Sequence, residues 1–272
     1  ETTGGGLGLR YSIPASISPE ARAVYERHIP LLAAAARLKP APRSAQEFAE
    51  KNADNEVRTA QNNRPMLEKL GVVVRELKLG GVPVLESLPP DYHDDGTLLV
   101  RVHGGGWVTG SARSGLGLDA QLAVDTGKRV LSVDYTLAPA ARWQQVTDQF
   151  VAVYQALLAE GHPAHSIGMV GDSAGGNIIA AGVLKARDQG IEMPGALVLL
   201  SPGLDLTMRS DTWTTLAPAD PVLADVESLR VAVSLYAPAP EDRVHPYVSP
   251  VYGDFSKGYP PTMLQLGTKE MV

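Results

Sequence analysis

Five residues, Gly171-Asp172-Ser173-Ala174-Gly175, constrain this chain more than any other stretch. Ahead of them runs Ile167-Gly168-Met169-Val170, short and apolar as an inner strand is. Behind them, Gly176 to Leu184 is small and apolar enough for a packed helix. A serine between glycines, at the junction of a buried strand and a helix, reads as a nucleophile held on a sharp turn. The glycines are needed because that turn is strained and other backbone passes close to it. The hydroxyl then projects above the sheet edge, where a substrate reaches it.

A serine alone is a poor nucleophile, because its hydroxyl is almost wholly protonated at neutral pH. It needs a base within hydrogen-bond reach and a third group to orient that base. Attack on a carbonyl also creates a negative oxygen that needs preorganised donors. His103-Gly104-Gly105-Gly106-Trp107 offers them. Consecutive glycines after a strand let backbone N–H groups point into a site without side chains in the way.

The surrounding pattern is that of an α/β protein. Ser18-Pro19-Glu20 is a helix start, with Ala23, Val24, Ile29, Leu31 and Leu32 expected to face a partner. Ser44-Ala45-Gln46-Glu47 opens a second, polar helix towards Leu70-Gly71. Val72–Lys78 and Val82–Glu86 flank Gly80-Gly81 as a hairpin, with Pro83 placing its strand near a sheet edge. Strands then follow at Thr97–Val102, Arg129–Tyr135, Ile167–Val170, Ala196–Leu200 and Thr262–Gly267, with helices at Leu118–Val124, Thr147–Leu158, after Ser173, and from Asp220-Pro221 to about Tyr236. Strands alternating with helices imply a mostly parallel sheet covered on both faces. The expected division is a helical cap segment over 1–71 and a core over 72–272, with a cap insertion at about 208–258.

Composition narrows the chemistry. The 272 residues carry 24 basic and 30 acidic side chains, a formal charge of −6, so no nucleic-acid or anionic-membrane partner is expected. There is no cysteine, which excludes disulfides, thiolate catalysis and cysteine-ligated metals and leaves the compartment open. No apolar run approaches the roughly 20 residues of a membrane span.

Four motifs in order resemble the hormone-sensitive-lipase-like (bacterial family IV) esterases: His103–Trp107, Val133-Asp134-Tyr135-Thr136-Leu137-Ala138-Pro139, Gly171–Asn177, and Ser201-Pro202-Gly203-Leu204-Asp205-Leu206-Thr207. The resemblance covers about residues 72–272. It implies an α/β-hydrolase fold, no cofactor and no metal, and hydrolysis of small-molecule carboxylic esters; the few large apolar residues of the expected cap point to short to medium chains. It implies Ser173 as nucleophile and the N–H groups of Gly104, Gly105 and Ala174 as the oxyanion hole. It places the acid at Glu270, with Asp205 the rival; a homodimer is a further expectation, since relatives often dimerise. Lactone or amide hydrolysis by the same triad, or ligand binding without turnover on the same scaffold, remain the alternatives.

The resemblance also places the base some 30 residues beyond the acid, and none of the six histidines stands there. His103 is expected to brace the glycine loop. His28 lies on the first helix, His93 in a turn, His162 and His165 before the elbow strand, and His245 ahead of Pro246. The sequence is therefore expected to be part of a longer protein, with the last strand, helix and catalytic histidine past Val272. Trp107 and Tyr135 are candidates either for the pocket wall or for core packing.

Overall fold

The computed structural model describes residues 2–3, 10–11, 13, 15–38, 41–220, 222–223 and 225–272; for 2–3, 10–11 and 29–38 it describes the backbone alone. At the N-terminus β1 (Thr2–Thr3) pairs antiparallel with β2 (Arg10–Tyr11). Helix α1 spans Pro19–Leu38. Ala23 and Val24, expected to pack, are exposed on it. The side chains of Ile29, Leu31 and Leu32 lie outside the described residues.

Helix α2 (Ala45–Leu70) starts where the Ser44 hydroxyl accepts the Glu47 N–H at 3.2 Å and stops at Gly71, left-handed at φ 66°. The Glu47 carboxylate accepts the Arg43 N–H at 2.6 Å, so the reciprocal half of the cap lands one residue earlier than a capping box would have it. Phe48 is the one buried residue of this polar helix.

The hairpin is β3 (Val73–Leu79) and β4 (Val82–Leu88), joined at Gly80 (φ 55°) and Gly81 (φ 84°). Two successive positive φ values make the turn that suits strand twist. Five further strands follow: β5 (Leu98–Val102), β6 (Arg129–Val133), β7 (Ile167–Asp172), β8 (Ala196–Leu200) and β9 (Thr262–Gln265). The seven form one sheet in the order β3-β4-β6-β5-β7-β8-β9. The β3–β4 and β4–β6 pairs are antiparallel and all the others parallel. Pro83 is one strand in from the edge; it is tolerated because the β4–β6 ladder begins only at Val84.

Helices α3 (Leu116–Thr126), α4 (Trp143–Ala159) and α5 (Ala174–Asp188) connect the parallel strands. α5 is buried along nearly its whole length, which its run of Gly, Ala, Ile and Val allows. Gly182 is where α4 lies against it: a Cβ there would sit 2.1 Å from the Phe150 ring. After β8 come α6 (Thr212–Thr215) and α7 (Val226–Tyr236). α7 starts later than Asp220-Pro221 suggests. The Asp220 carboxylate does accept the N–H groups of Val222 and Leu223, but the cap of the helix is Asp225, which accepts from Ser228 at 2.9 Å. Pro221 lies outside the described residues. Among the described residues no helix is long and apolar enough to cross a membrane.

The topology places the site. The chain leaves β5 towards β6 on one side and leaves β7 towards β8 on the other. Between β5 and β7 the strand order therefore reverses, and the crevice beyond their carboxyl ends is where open α/β sheets bind ligands. β5 ends at the glycine loop and β7 ends at Ser173.

Candidate active site

Ser173 follows β7 with φ 50° and ψ −119°, outside the regions an L-residue prefers. Strain of this kind costs of order 1–3 kcal/mol and persists only where the surroundings over-determine it. Here they do. A Cβ on Gly171 would lie 2.7 Å from the carbonyl carbon of Gly175, and one on Gly175 would lie 2.1 Å from the Val102 carbonyl oxygen. The turn closes only because those side chains are absent. The Ser173 N–H donates to Leu200 O at 2.8 Å, tying the elbow to β8. Asn177, one turn into α5 and fully buried, donates to Gly203 O (2.8 Å) and Val248 O (2.9 Å), which pins the loop behind the serine.

The glycine loop lies opposite. Gly105 (φ 115°), Gly106 (φ 61°) and Trp107 (φ 64°) all have left-handed backbone. The Gly104 N–H, expected to hold an oxyanion, instead donates to Asp172 Oδ1 at 3.3 Å, and a Cβ on Gly104 would meet that carboxylate at 2.4 Å. The first glycine packs against the elbow, so it is the second and third, Gly105 and Gly106, that line the pocket with Ser173 and Ala174. Among the described residues the N–H groups of Gly105 and Gly106 meet no acceptor. Ala174 is the first residue of α5, where N–H groups have no partner within the helix.

His103 is buried and braces this loop. Its Nδ1 is 2.8 Å from Gly104 O, and its ring stacks on Tyr135 at 4.3 Å between centroids. Burial holds its pKa down to about 4, so the ring is neutral at pH 7. Tyr135 thus packs in the core and donates to His103 O at 3.2 Å, whereas Trp107 lines the pocket. Trp107 stacks on buried Tyr236 at 4.9 Å.

Beneath the elbow lies a charge cluster that sequence reading missed. Arg101 of β5 forms ion pairs with Asp119 of α3 (3.0 Å) and Asp172 (2.7 Å). Asp119 is fully buried and also accepts from Ser132 of β6 at 2.5 Å. Burial raises its pKa to about 6 despite Arg101 and Ser132, which both favour the carboxylate. The available signal was an arginine in the otherwise apolar run Leu98-Leu99-Val100-Arg101-Val102.

Glu270 follows β9 in a turn. One carboxylate oxygen accepts the Gly267 N–H at 2.8 Å; the other, Oε2, is buried without a partner. The next residue is clamped from two sides, Met271 N–H donating to Asp220 at 3.2 Å and Met271 O accepting from Thr212 at 2.9 Å. Asp205 lines the pocket, but one of its oxygens takes both the N–H and the hydroxyl of Thr207. None of the histidines lines the pocket. His245 is held elsewhere, between the rings of Trp143 and Tyr247, and burial lowers its pKa.

The pocket over Ser173 has a volume of about 280 Å³. Its far wall comes from both flanking segments: Phe48 and Lys51 of α2, and Trp213, Leu223 and Leu229 around α6 and α7. An ion pair between Arg43 and Asp225 (2.7 Å) joins the two segments beside it. None of these wall residues announces itself in the sequence, because they converge only through the fold.

Known proteins resemble this chain in sequence and fold. The alpha/beta hydrolase fold family matches residues 99–272. An esterase of Acinetobacter venetianus is 34% identical over 217 residues, 77% of this chain and 70% of that protein. The chain belongs to the α/β-hydrolase-fold family, in its hormone-sensitive-lipase-like branch. LipR of Mycobacterium tuberculosis is 38% identical over 195 residues, 72% of this chain and 62% of LipR; the chain thus spans less than two thirds of that relative's length. A solved hormone-sensitive lipase from a metagenome library superposes with a TM-score of 0.80 at 34% identity, covering 90% of this chain and 79% of that one. The strained serine of this family member stands at the reversal between β5 and β7.

Proposed function

We propose that this chain carries the nucleophile and oxyanion hole of a serine carboxylesterase acting on short- to medium-chain esters. The observation that carries the reading is Ser173, held in strained backbone at the floor of a 280 Å³ pocket beside the unpaired N–H groups of Gly105 and Gly106. Relatives named esterase and acetyl-hydrolase support the reaction class and a small acyl group. Flanking segments 1–71 and about 208–258 act as the cap, since both reach the pocket wall.

In this mechanism Ser173 Oγ attacks the ester carbonyl carbon while a histidine takes its proton. The carbonyl oxygen becomes an oxyanion and is held by Gly105, Gly106 and Ala174 N–H groups. The histidine returns the proton to the departing alcohol oxygen, leaving an acyl-serine. Water, deprotonated by the same base, attacks the acyl carbon, and Ser173 is released with a carboxylic acid. Glu270 orients the base: its unpartnered buried Oε2 is the acceptor an imidazole N–H requires. The base is a histidine, and none of the six in this sequence lines the pocket. His103 and His245 are both engaged elsewhere.

The test uses the full-length protein and p-nitrophenyl acetate and butyrate. Ser173→Ala should lower kcat by about 10³-fold or more, and Glu270→Gln by at least about tenfold, both with KM little changed. Native turnover by Ser173→Ala would refute the assignment.

A further inference from the structure

One buried cation has no role in the mechanism so far. Arg101 stands in a strand whose other residues are apolar, with its side chain 5% exposed. A guanidinium there is costly unless paired, and an apolar side chain of similar volume would serve packing better. Its partners lie on different elements. Nε lies 3.0 Å from Asp119 Oδ1 on α3, an ion pair without hydrogen-bond geometry, and Nη2 donates to Asp172 Oδ1 at 2.7 Å, directly before Ser173. That same Asp172 oxygen receives the Gly104 N–H. Asp119 is in turn anchored to β6 by the Ser132 hydroxyl. The chain makes room for the group: a Cβ on Gly115 would come within 3.1 Å of Arg101 Nη1. One rigid fork therefore reaches two carboxylates at once, which a lysine does poorly.

We propose that Arg101, anchored by Asp119, is a positioning residue for the oxyanion hole: it fixes Asp172, and Asp172 turns the Gly104 N–H away so that Gly105 and Gly106 face Ser173. The inference rests on the serine-hydrolase reading above. Without Arg101 the Asp172 carboxylate loses its hold, and the glycine loop loses the contact that sets its direction. Substrate binding through the pocket wall is untouched, so the defect belongs to the transition state.

The test compares turnover with binding of an aryl trifluoromethyl ketone, whose serine hemiketal places an oxyanion where the intermediate has one. In the full-length protein the double variant Arg101→Met/Asp119→Leu removes the fully buried pair together and frees only Asp172, whose side chain is 38% exposed to water. It should lower kcat about tenfold or more, raise the ketone Ki by a similar factor, and leave KM within about twofold. Native-like kcat and Ki, or a fall in kcat without a change in Ki, would overturn the proposal. If the double variant does not fold, Arg101→Lys decides: kcat and Ki should both shift by about three- to tenfold, and no shift in either overturns it. Ser173→Ala is measured alongside. If it still turns over, the hydrolase reading fails; if it is dead while the Arg101 variants are native-like, only this inference fails.

Discussion

Single residues at the elbow act by what they lack. Gly175 is the clearest case, since a methyl group there would sit 2.1 Å from the Val102 carbonyl oxygen, and both belong to rigid elements. Gly175→Ala should therefore lower unfolding stability by about 3 kcal/mol or more, and kcat along with it, measured by urea unfolding and ester turnover. By contrast Gly190, left-handed at φ 76° with open space around it, offers no such clash, and Gly190→Ala should cost only about 1 kcal/mol of backbone strain. This level of the site was legible in the sequence, because a serine between glycines has few other backbone uses. Which glycines of the loop line the pocket was not. Gly104, Gly105 and Gly106 are alike in sequence, and only the Asp172 carboxylate packed on Gly104 separates them.

Among the elements, α2 has the weakest intrinsic claim to its place and the strongest effect on the pocket. Its one buried residue, Phe48, belongs both to the core and to the pocket wall. Side-chain contacts hold the rest of it: Asn52 accepts the Gly110 N–H at 2.6 Å, and Glu56 accepts from the Ser111 hydroxyl at 2.8 Å. Phe48→Ala should cost about 3 kcal/mol of stability and shift the preference of kcat/KM towards longer acyl chains, checked across p-nitrophenyl acetate to octanoate. Helix α2 was legible from Ser44 and Gly71, its two ends. Its orientation was not, because one phenylalanine in a polar helix gives no period to read.

For the whole molecule, the buried ionisable groups set the acid limit. The unfolded chain protonates His103 near pH 6.5, whereas the folded chain resists until about pH 4. Its contribution to stability is complete above pH 6.5 and is lost as pH falls towards 4, by about 3 kcal/mol. Asp119 acts in the opposite sense: its folded pKa of about 6 exceeds the ordinary 3.8, so falling pH in that window returns some stability. Unfolding free energies between pH 4.5 and 7.5 should therefore decline towards acid. The decline should be shallower in His103→Gln and steeper in Asp119→Asn. A native acid limb in His103→Gln would refute the first expectation.

By itself the sequence determined the fold class, and it placed a serine on a strained turn across from a glycine loop. Each depends on local backbone demands: apolar runs that need a buried sheet, and glycines where the chain passes too close for a side chain. Only the tertiary structure decided which glycines line the pocket, what builds its wall, and that a lone arginine in β5 joins α3 to the elbow. Those facts arise where distant segments meet across the reversal between β5 and β7, and no spacing along the chain encodes such a meeting.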